Sequence, residues 1–363
     1  MLRNLLRFSL VFVVIGLAMT LRPAGPASAV VHLAEVHEIM VGFNGDPDVQ
    51  YIEINMRLGA QNITTLATLA SFDSSGTFLD ADAGTTGNQP LITFPNNVPN
   101  SGAEIRWIVG TTEFETASGI TADFVIPASP GLPTTVGMVC LFEALRDFTN
   151  PFQSVDCISY GGASFTGDNP NSNPSDAATT GPGDGTKSLT RINPANFIGG
   201  KPWAQSDVAN DFALRCPTPE NNAGDIAFLG DDDDGDGLTN CQEGEIGTNP
   251  SDPDTDDDGC TDGSELGPDE KIGGLRDPLN SNDFYDVLGG GGGPPDQIID
   301  LTNDIFEVIQ HYAPTGTEPT YDVNFDRGPT TGPNPWNMTA PDGVIDLTND
   351  ILGVILQYLH DCR

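Results

Sequence analysis

"DDDGDGLTNCQE" at residues 232–243 and "DTDDDGCTDGSE" at residues 254–265 are one twelve-residue scheme written twice, 22 residues apart. Loop places 1, 3 and 5 hold Asp232, Asp234 and Asp236 in the first copy and Asp254, Asp256 and Asp258 in the second. Gly237 and Gly259 follow at place 6, Asn240 and Asp262 stand at place 9, and Glu243 and Glu265 close each copy at place 12. A chain that turns sharply at a glycine brings alternate side chains to one centre. Calcium asks for six to eight hard oxygens, and such a loop supplies them from carboxylates, one backbone carbonyl and a bidentate Glu at the end. Residues 231–270 contain 16 acidic side chains and no basic one, so like-charge repulsion keeps the segment open unless a counter-ion is bound. A merely solvated acidic linker has no reason to repeat Gly at place 6 and Glu at place 12.

The whole chain extends this imbalance. Its 52 acidic and 14 basic side chains give a formal charge of -38, which repels nucleic acid and anionic membrane surfaces and makes divalent cations the natural counter-charge. Arg3 and Arg7 precede an apolar run at residues 8–21, and Ala27-Ser28-Ala29 offers a small-x-small cleavage site, so residues 1–29 read as an export signal. No later stretch has the length and apolarity of a membrane helix, so a secreted protein, or one held at the cell surface through a partner, is expected. The six cysteines fit an oxidising compartment, and proximity favours Cys140 with Cys157 and Cys241 with Cys260, leaving Cys216 and Cys362 to pair across domains or stay free.

Upstream of the acidic loops, residues 30–224 are strand-like. "QYIEINM" at 50–56 alternates polar and apolar residues, while "EIRWIVG" at 104–110 and "GMVCLFEA" at 137–144 are short apolar runs between Gly, Pro and Asn clusters. Many short strands with frequent turns predict a β-sandwich, with Trp107 and Trp203 in its core and residues 162–185 as an exposed loop. "HEIMVGFNGDPDVQYIEI" at 37–54, "GTKSLTRI" at 185–192 and "ANDFALRCPTPENNAG" at 209–224, with its Pro217-Thr218-Pro219 and Asn221, resemble the lamin-tail domain of exported bacterial proteins. That resemblance implies an immunoglobulin-like β-sandwich. The acidic loops of residues 230–270, joined by "GTNPSDPDTDDDG", resemble thrombospondin type 3 repeats, in which bound calcium forms much of the core. Thr239 and Thr261 occupy place 8, where an EF-hand has an aliphatic residue.

A linker at 271–284 leads to a duplicated end, residues 285–363, in which "IDLTND" occurs at 299–304 and again at 345–350. Ile305, Val308, Ile309 and Tyr312, and likewise Ile351, Val354, Ile355 and Tyr358, fall at i, i+3, i+4 and i+7, so each copy predicts a helix with one apolar stripe that seeks its twin. Two loop-helix units of this kind resemble a dockerin domain, the calcium-binding module that docks exported bacterial proteins onto cohesins. The resemblance implies Asp286 and Asp322 at the first ligand place, Asn324 at the third, Asp296 and Asp342 at the fifth, and Asp300 and Asp346 at the ninth. Asn303 and Asn349 fall at the twelfth place, with Asp304 and Asp350 one residue on. Leu288 replaces a ligand, both loops carry insertions, and Asp326 competes with Asp342. Leu301-Thr302 and Leu347-Thr348 occupy the places through which dockerins touch their partner.

No catalytic constellation emerges. His37-Glu38 lacks a second His at position 41, which is Val, and Ser164 in "GGASF" is not in a nucleophile elbow. The expected protein is therefore a secreted, non-catalytic, calcium-binding modular chain with a docking tail and a protein partner, cohesin-like or at the cell surface. The alternative is an accessory or catalytic, carbohydrate-directed component of an extracellular polysaccharide-degrading complex carried by that tail.

Overall fold

A computed structural model of the chain describes residues 33–82, 87–127, 131–170, 185–192 and 211–363. The export signal expected at 1–29, Trp203 and most of the loop expected at 162–185 lie outside the described residues. The described residues divide into two compact units, one made of those up to residue 215 with 219–226, the other of residues 216–218 with 227–363.

The first unit is mainly β, as the alternating and apolar runs predict. A six-stranded sheet contains β1 (Ala34–Met40), β2 (Tyr51–Met56), β5 (Ile105–Gly110), β6 (Phe124–Val125), β9 (Ser188–Arg191) and β10 (Phe212–Arg215), in the order β10-β9-β1-β2-β5-β6. Among the described residues only β5 and β6 run parallel, and the helix α1 (Thr112–Ser118) begins the crossover between them. A four-stranded sheet contains β3 (Thr68–Phe72), β4 (Ile92–Thr93), β7 (Gly137–Phe142) and β8 (Asp156–Tyr160), in the order β4-β3-β7-β8. One apolar core joins the two layers, drawing Val36, Ile54, Trp107 and Val109 from the larger sheet and Leu69, Val139, Leu141 and Ile158 from the smaller. Trp107 lies inside it, edge-on to Phe94 at 5.0 Å between ring centroids.

Strand β1 keeps its apolar side inward through a bulge. Its pairing with β2 slips by one residue between Val36 and Glu38, so His37 takes no partner in the ladder. A bulge reverses the alternation beyond it. Ala34 and Val36 before it and Ile39 and Val41 after it therefore all reach the same core. The opposite face carries Glu38 directly across from Glu53. Tyr51 Oη donates to Glu38 at 2.6 Å, the Glu220 N–H donates to Glu53 at 2.6 Å, and Arg106 stands 3.3 Å from Glu53. Burial, then the neighbouring Glu38, pushes the Glu53 carboxyl well up. This arrangement is a polar layer of the sheet. The Cys140–Cys157 disulfide joins directly paired residues of β7 and β8, as sequence proximity suggests.

The second unit has little regular structure. Its core gathers Cys260, Phe284, Tyr285, Ile299, Ile305, Val308, Phe325, Met338, Ile345 and Val354. Two disulfides hold it, Cys216–Cys241 and Cys260–Cys362, and they correct the expected Cys241–Cys260 pair. The reason is local: Cys260 is fully buried in the apolar core together with Cys362, while Cys241 sits on the helix α2 (Asn240–Ile246). Closing a loop as long as the 102-residue separation of Cys260 and Cys362 contributes about 4.7 kcal/mol in the chain-entropy picture.

The duplicated end explains its own duplication. Each copy passes through a π-turn, Leu301–Ile305 and Leu347–Ile351, into a short helix, α4 (Phe306–Gln310) and α5 (Leu352–Leu356). Ile345 of the second loop exchanges two 3.0 Å backbone hydrogen bonds with Ala313 after α4. Ile299 of the first loop does the same with the chain after α5, donating to His360 at 3.0 Å and accepting from Leu359 at 2.9 Å. Each loop is thus fastened to the tail of the other helix. The apolar stripes are only half covered: Ile305, Val308 and Val354 are buried, but Ile309, Tyr312, Ile355 and Tyr358 are exposed. Among the described residues, no helix is long and apolar enough to cross a membrane. With three disulfides, the chain is compatible with an extracellular setting.

Candidate metal centre

The acidic loops fold around their own backbone. Asp232 accepts from the Gly235 N–H at 2.7 Å and the Gly237 N–H at 3.2 Å. Asp254 accepts from Asp258 at 3.2 Å and Gly259 at 2.9 Å. Gly237 and Gly259 have φ of +99° and +105°, a conformation that a side chain would strain, which accounts for glycine at place 6. The two threonines at place 8 serve as N-caps. Thr239 forms a reciprocal capping box with Gln242 at the start of α2, and Thr261 caps the helix α3 (Asp262–Glu265). These caps set where the place-12 glutamates, which ride on α2 and α3, can point.

Three groups of carboxylates result. One oxygen from each of Asp232, Asp234 and Asp236 lies within 4.8 Å of the others, and the same holds for Asp254, Asp256 and Asp258, and for Asp258, Glu265 and Asp283. Such clusters could hold a metal ion. Glu243 and Glu265 are 0 % exposed, and none of their four carboxylate oxygens has a hydrogen-bond partner. Asp234 Oδ2, Asp256 Oδ2 and Asp283 Oδ1 are likewise buried without a partner. Unsatisfied buried carboxylate oxygens are costly, so these groups call for either protons or a cation.

The electrostatics agree. Burial first, then Asp234 and Asp236, pushes Glu243 up to about 7. Burial and the facing Asp258 and Asp256 push Glu265 to about 11, and burial with Asp256 pushes Asp258 to about 8. Asp256 rises to about 6 and Asp283 to about 7, again chiefly through burial. Without a counter-cation, neutral pH leaves this cluster partly protonated.

Place 9 behaves differently from the expectation of an in-loop ligand. Asn240 accepts from the Asp233 N–H at 3.1 Å and donates to the Asp233 carboxylate at 3.0 Å. Asp262 accepts from the Thr255 N–H at 2.9 Å and the Thr255 hydroxyl at 2.7 Å. Both clasp the start of their own loop. Asp283, which sequence reasoning placed in a linker, enters the third carboxylate group instead, and Arg276 from the same stretch is also buried.

The duplicated end uses its acids in another way. Asp300 and Asp346 are N-caps: each accepts from two backbone N–H groups of its π-turn, Thr302 and Asn303 or Thr348 and Asn349, at 2.7 to 2.8 Å. Asp304 is fully buried and accepts from Val287 at 2.9 Å, Leu288 at 3.3 Å and Asp300 at 2.7 Å. Asp350 accepts from Arg327 at 2.7 Å, Asp346 at 2.7 Å and the Tyr285 hydroxyl at 3.1 Å. The π-turns, closed by Ile305 N–H to Asp300 O and Ile351 N–H to Asp346 O, accommodate the one-residue offset from Asn303 and Asn349 to Asp304 and Asp350.

The structure also shifts the alignment of the two copies. Asp286 accepts from Gln297, the residue after Asp296, at 2.5 Å; Asp326 accepts from Gly343, the residue after Asp342, at 2.9 Å. The following N–H groups, Val287 and Arg327, go to Asp304 and Asp350. Asp326 is therefore the counterpart of Asp286. Asp322, which the dockerin resemblance puts at the first ligand place, instead caps a short turn through the Asn324 N–H at 3.0 Å. Among the described residues, no three acids of residues 285–363 come close enough together to share an ion, although Asp286 keeps one buried, unpartnered oxygen. No known protein family, curated protein or solved structure matches the chain.

Proposed function

We propose that this is a secreted, non-catalytic modular protein whose acidic loops bind calcium and thereby order its second unit, leaving a duplicated apolar face for a protein partner. The observation that carries the reading is the pair of fully buried glutamates, Glu243 and Glu265, whose oxygens lack partners beside clustered aspartates. Calcium suits this donor set because every candidate is a hard oxygen and none is a thiolate or imidazole. Asp232, Asp234, Asp236 and Glu243 hold one ion; Asp254, Asp256, Asp258 and Glu265 hold another. The chain's own work is to exclude water around the glutamates and to fix the aspartates through backbone N–H groups. The ion supplies the positive charge that lets all of them ionise together.

The resemblances to thrombospondin type 3 repeats and to dockerins, and that of the first unit to lamin-tail domains, belong to this reading. Leu301, Phe306, Ile309 and Tyr312, with Leu347, Leu352, Ile355 and Tyr358, stand exposed at matching places of the two copies, as a duplicated docking face requires. A loop that binds with a dissociation constant of about 10 μM gains about 2.7 kcal/mol of folding free energy in about 1 mM calcium. Chelation is expected to enlarge the hydrodynamic radius of the full chain while the β-sheet signal in circular dichroism stays constant. An unchanged radius contradicts the proposal.

A further inference from the structure

The step of 22 residues that separates Asp232 from Asp254 leads, when taken once more, to Arg276. The structure treats the stretch from Arg276 to Asp283 as a third copy of the loop. In each copy a side chain near the end accepts the backbone N–H that follows the first place: Asn240 from Asp233 at 3.1 Å, Asp262 from Thr255 at 2.9 Å, and Asp283 from Asp277 at 2.9 Å. The third copy is one residue shorter, since Asp283 stands 7 residues after Arg276 where Asp262 stands 8 after Asp254.

A second correspondence links each copy to the next. Asp236, at place 5 of the first loop, accepts at 2.7 Å from Gly263, the residue after Asp262. Asp258, at place 5 of the second, accepts at 3.2 Å from Phe284, the residue after Asp283. Asp283 therefore stands to the second loop as Asp262 stands to the first, and both aspartates are 0 % exposed. In the second loop the consequence is visible: Asp283 Oδ1 and both oxygens of Glu265 are buried without partners, and the group they form with Asp258 fits within 4.8 Å.

We propose that the ion of the second loop is closed by a carboxylate of the following copy, so that Asp258, Glu265 and Asp283 hold one divalent cation together and residues 276–283 are a repeat that lends a ligand without binding an ion of its own. Arg276 explains the second half of that statement. It occupies the first-ligand place with a buried guanidinium, which donates to the carbonyls of Glu270, Gly274 and Asp283 and to Gln357 and His360 Nδ1. A fixed positive charge thus stands where the other two copies would gather a mobile one. The site joins the acidic repeats to the last turn of the chain, because the same arginine that carries Asp283 grips Gln357 and His360.

This inference rests on the calcium reading of the two full loops, and one experiment separates the two claims. Calcium is titrated calorimetrically into the chelator-treated full chain and into its Asp283→Asn variant, with Asp147→Asn, at an exposed aspartate of the β-rich unit, as control. Asparagine keeps the size of the side chain and still accepts the Asp277 N–H. The variant is expected to lose one tight site or to bind it about tenfold or more weakly, while the control matches the wild type. An isotherm unchanged by Asp283→Asn overturns the inference and leaves the loops as calcium sites. No binding by the wild type overturns the calcium reading and the inference with it. Where Asp283→Asn fails to fold, hydrogen exchange of the wild type decides. The Asp277 and Phe284 amides, held by Asp283 and Asp258, are expected to gain about tenfold protection on adding calcium; equal protection overturns the inference.

Discussion

The acidic loops of residues 232–265 and the duplicated loops of residues 286–350 are built from the same acids at similar spacings, yet they spend their carboxylates differently. Asp304 and Asp350 each accept three hydrogen bonds that engage both oxygens, from backbone N–H groups and, for Asp350, the Tyr285 hydroxyl, so each is a clamp on its own loop. Glu243 and Glu265 are equally buried and accept nothing. An acid-rich motif therefore becomes a candidate cation site only where lone pairs remain after the backbone has taken its share.

The largest effect is expected from Asp304→Ala. It strips an acceptor from the buried N–H of Val287 and the part-buried N–H groups of Leu288 and Asp300, and should destabilise the second unit by about 3 kcal/mol, read as a shifted denaturant midpoint. Calcium affinity of the acidic loops should stay within about twofold, and a large loss there would erase the contrast. Next comes Glu265→Gln, which keeps shape but removes a charge and a bidentate donor. Calcium binding at the second loop should weaken about a hundredfold, or about 2.7 kcal/mol, with the secondary structure retained. A variant that binds as tightly as the wild type would make Glu265 a structural residue.

The third effect is a pH dependence, and its sign follows from the direction of the shifts. Asp256, Asp283, Glu243 and Asp258 titrate in the fold near 6, 7, 7 and 8, all above the ordinary carboxyl range. In the calcium-free fold these four groups hold protons that the unfolded chain releases, so the stability they contribute is fully present below about pH 4 and is lost as pH rises through these values. Calcium competes for the same oxygens, so its apparent affinity should rise between about pH 6 and pH 8, by up to about tenfold per unit for each proton displaced. A flat profile measured by titration in that window would mean the buried carboxylates are not the ligands.

The parts of this structure set by short-range patterns were legible in the sequence. The alternation of "QYIEINM" places β2 at Tyr51–Met56, the apolar runs place β5 and β7, and the spacing of acids and glycine brings Asp232, Asp234 and Asp236, and likewise Asp254, Asp256 and Asp258, into groups. What escaped depends on which distant segment arrives beside a residue. The partner of Cys260 is 102 residues away, so proximity along the chain misled. Tyr321-Asp322-Val323 repeats the letters of Tyr285-Asp286-Val287, but it is Asp326 that repeats the hydrogen bond of Asp286 to the far side of its loop, which no local pattern reveals. Asp283 carries no motif of its own, and its place is evident only from the 22-residue step combined with the clasp to Asp277. The half-covered helix stripes taught a similar lesson, because periodicity marks an apolar face without saying what covers it.

Differential scanning calorimetry of the full chain, with calcium and with chelator, tests the central claim most directly. The two units should give separate transitions. Saturating calcium should raise one of them by about ten degrees, the shift expected for a few kcal/mol of binding free energy in a unit of this size, and leave the β-rich unit's transition in place. Two transitions that both ignore calcium would contradict the account.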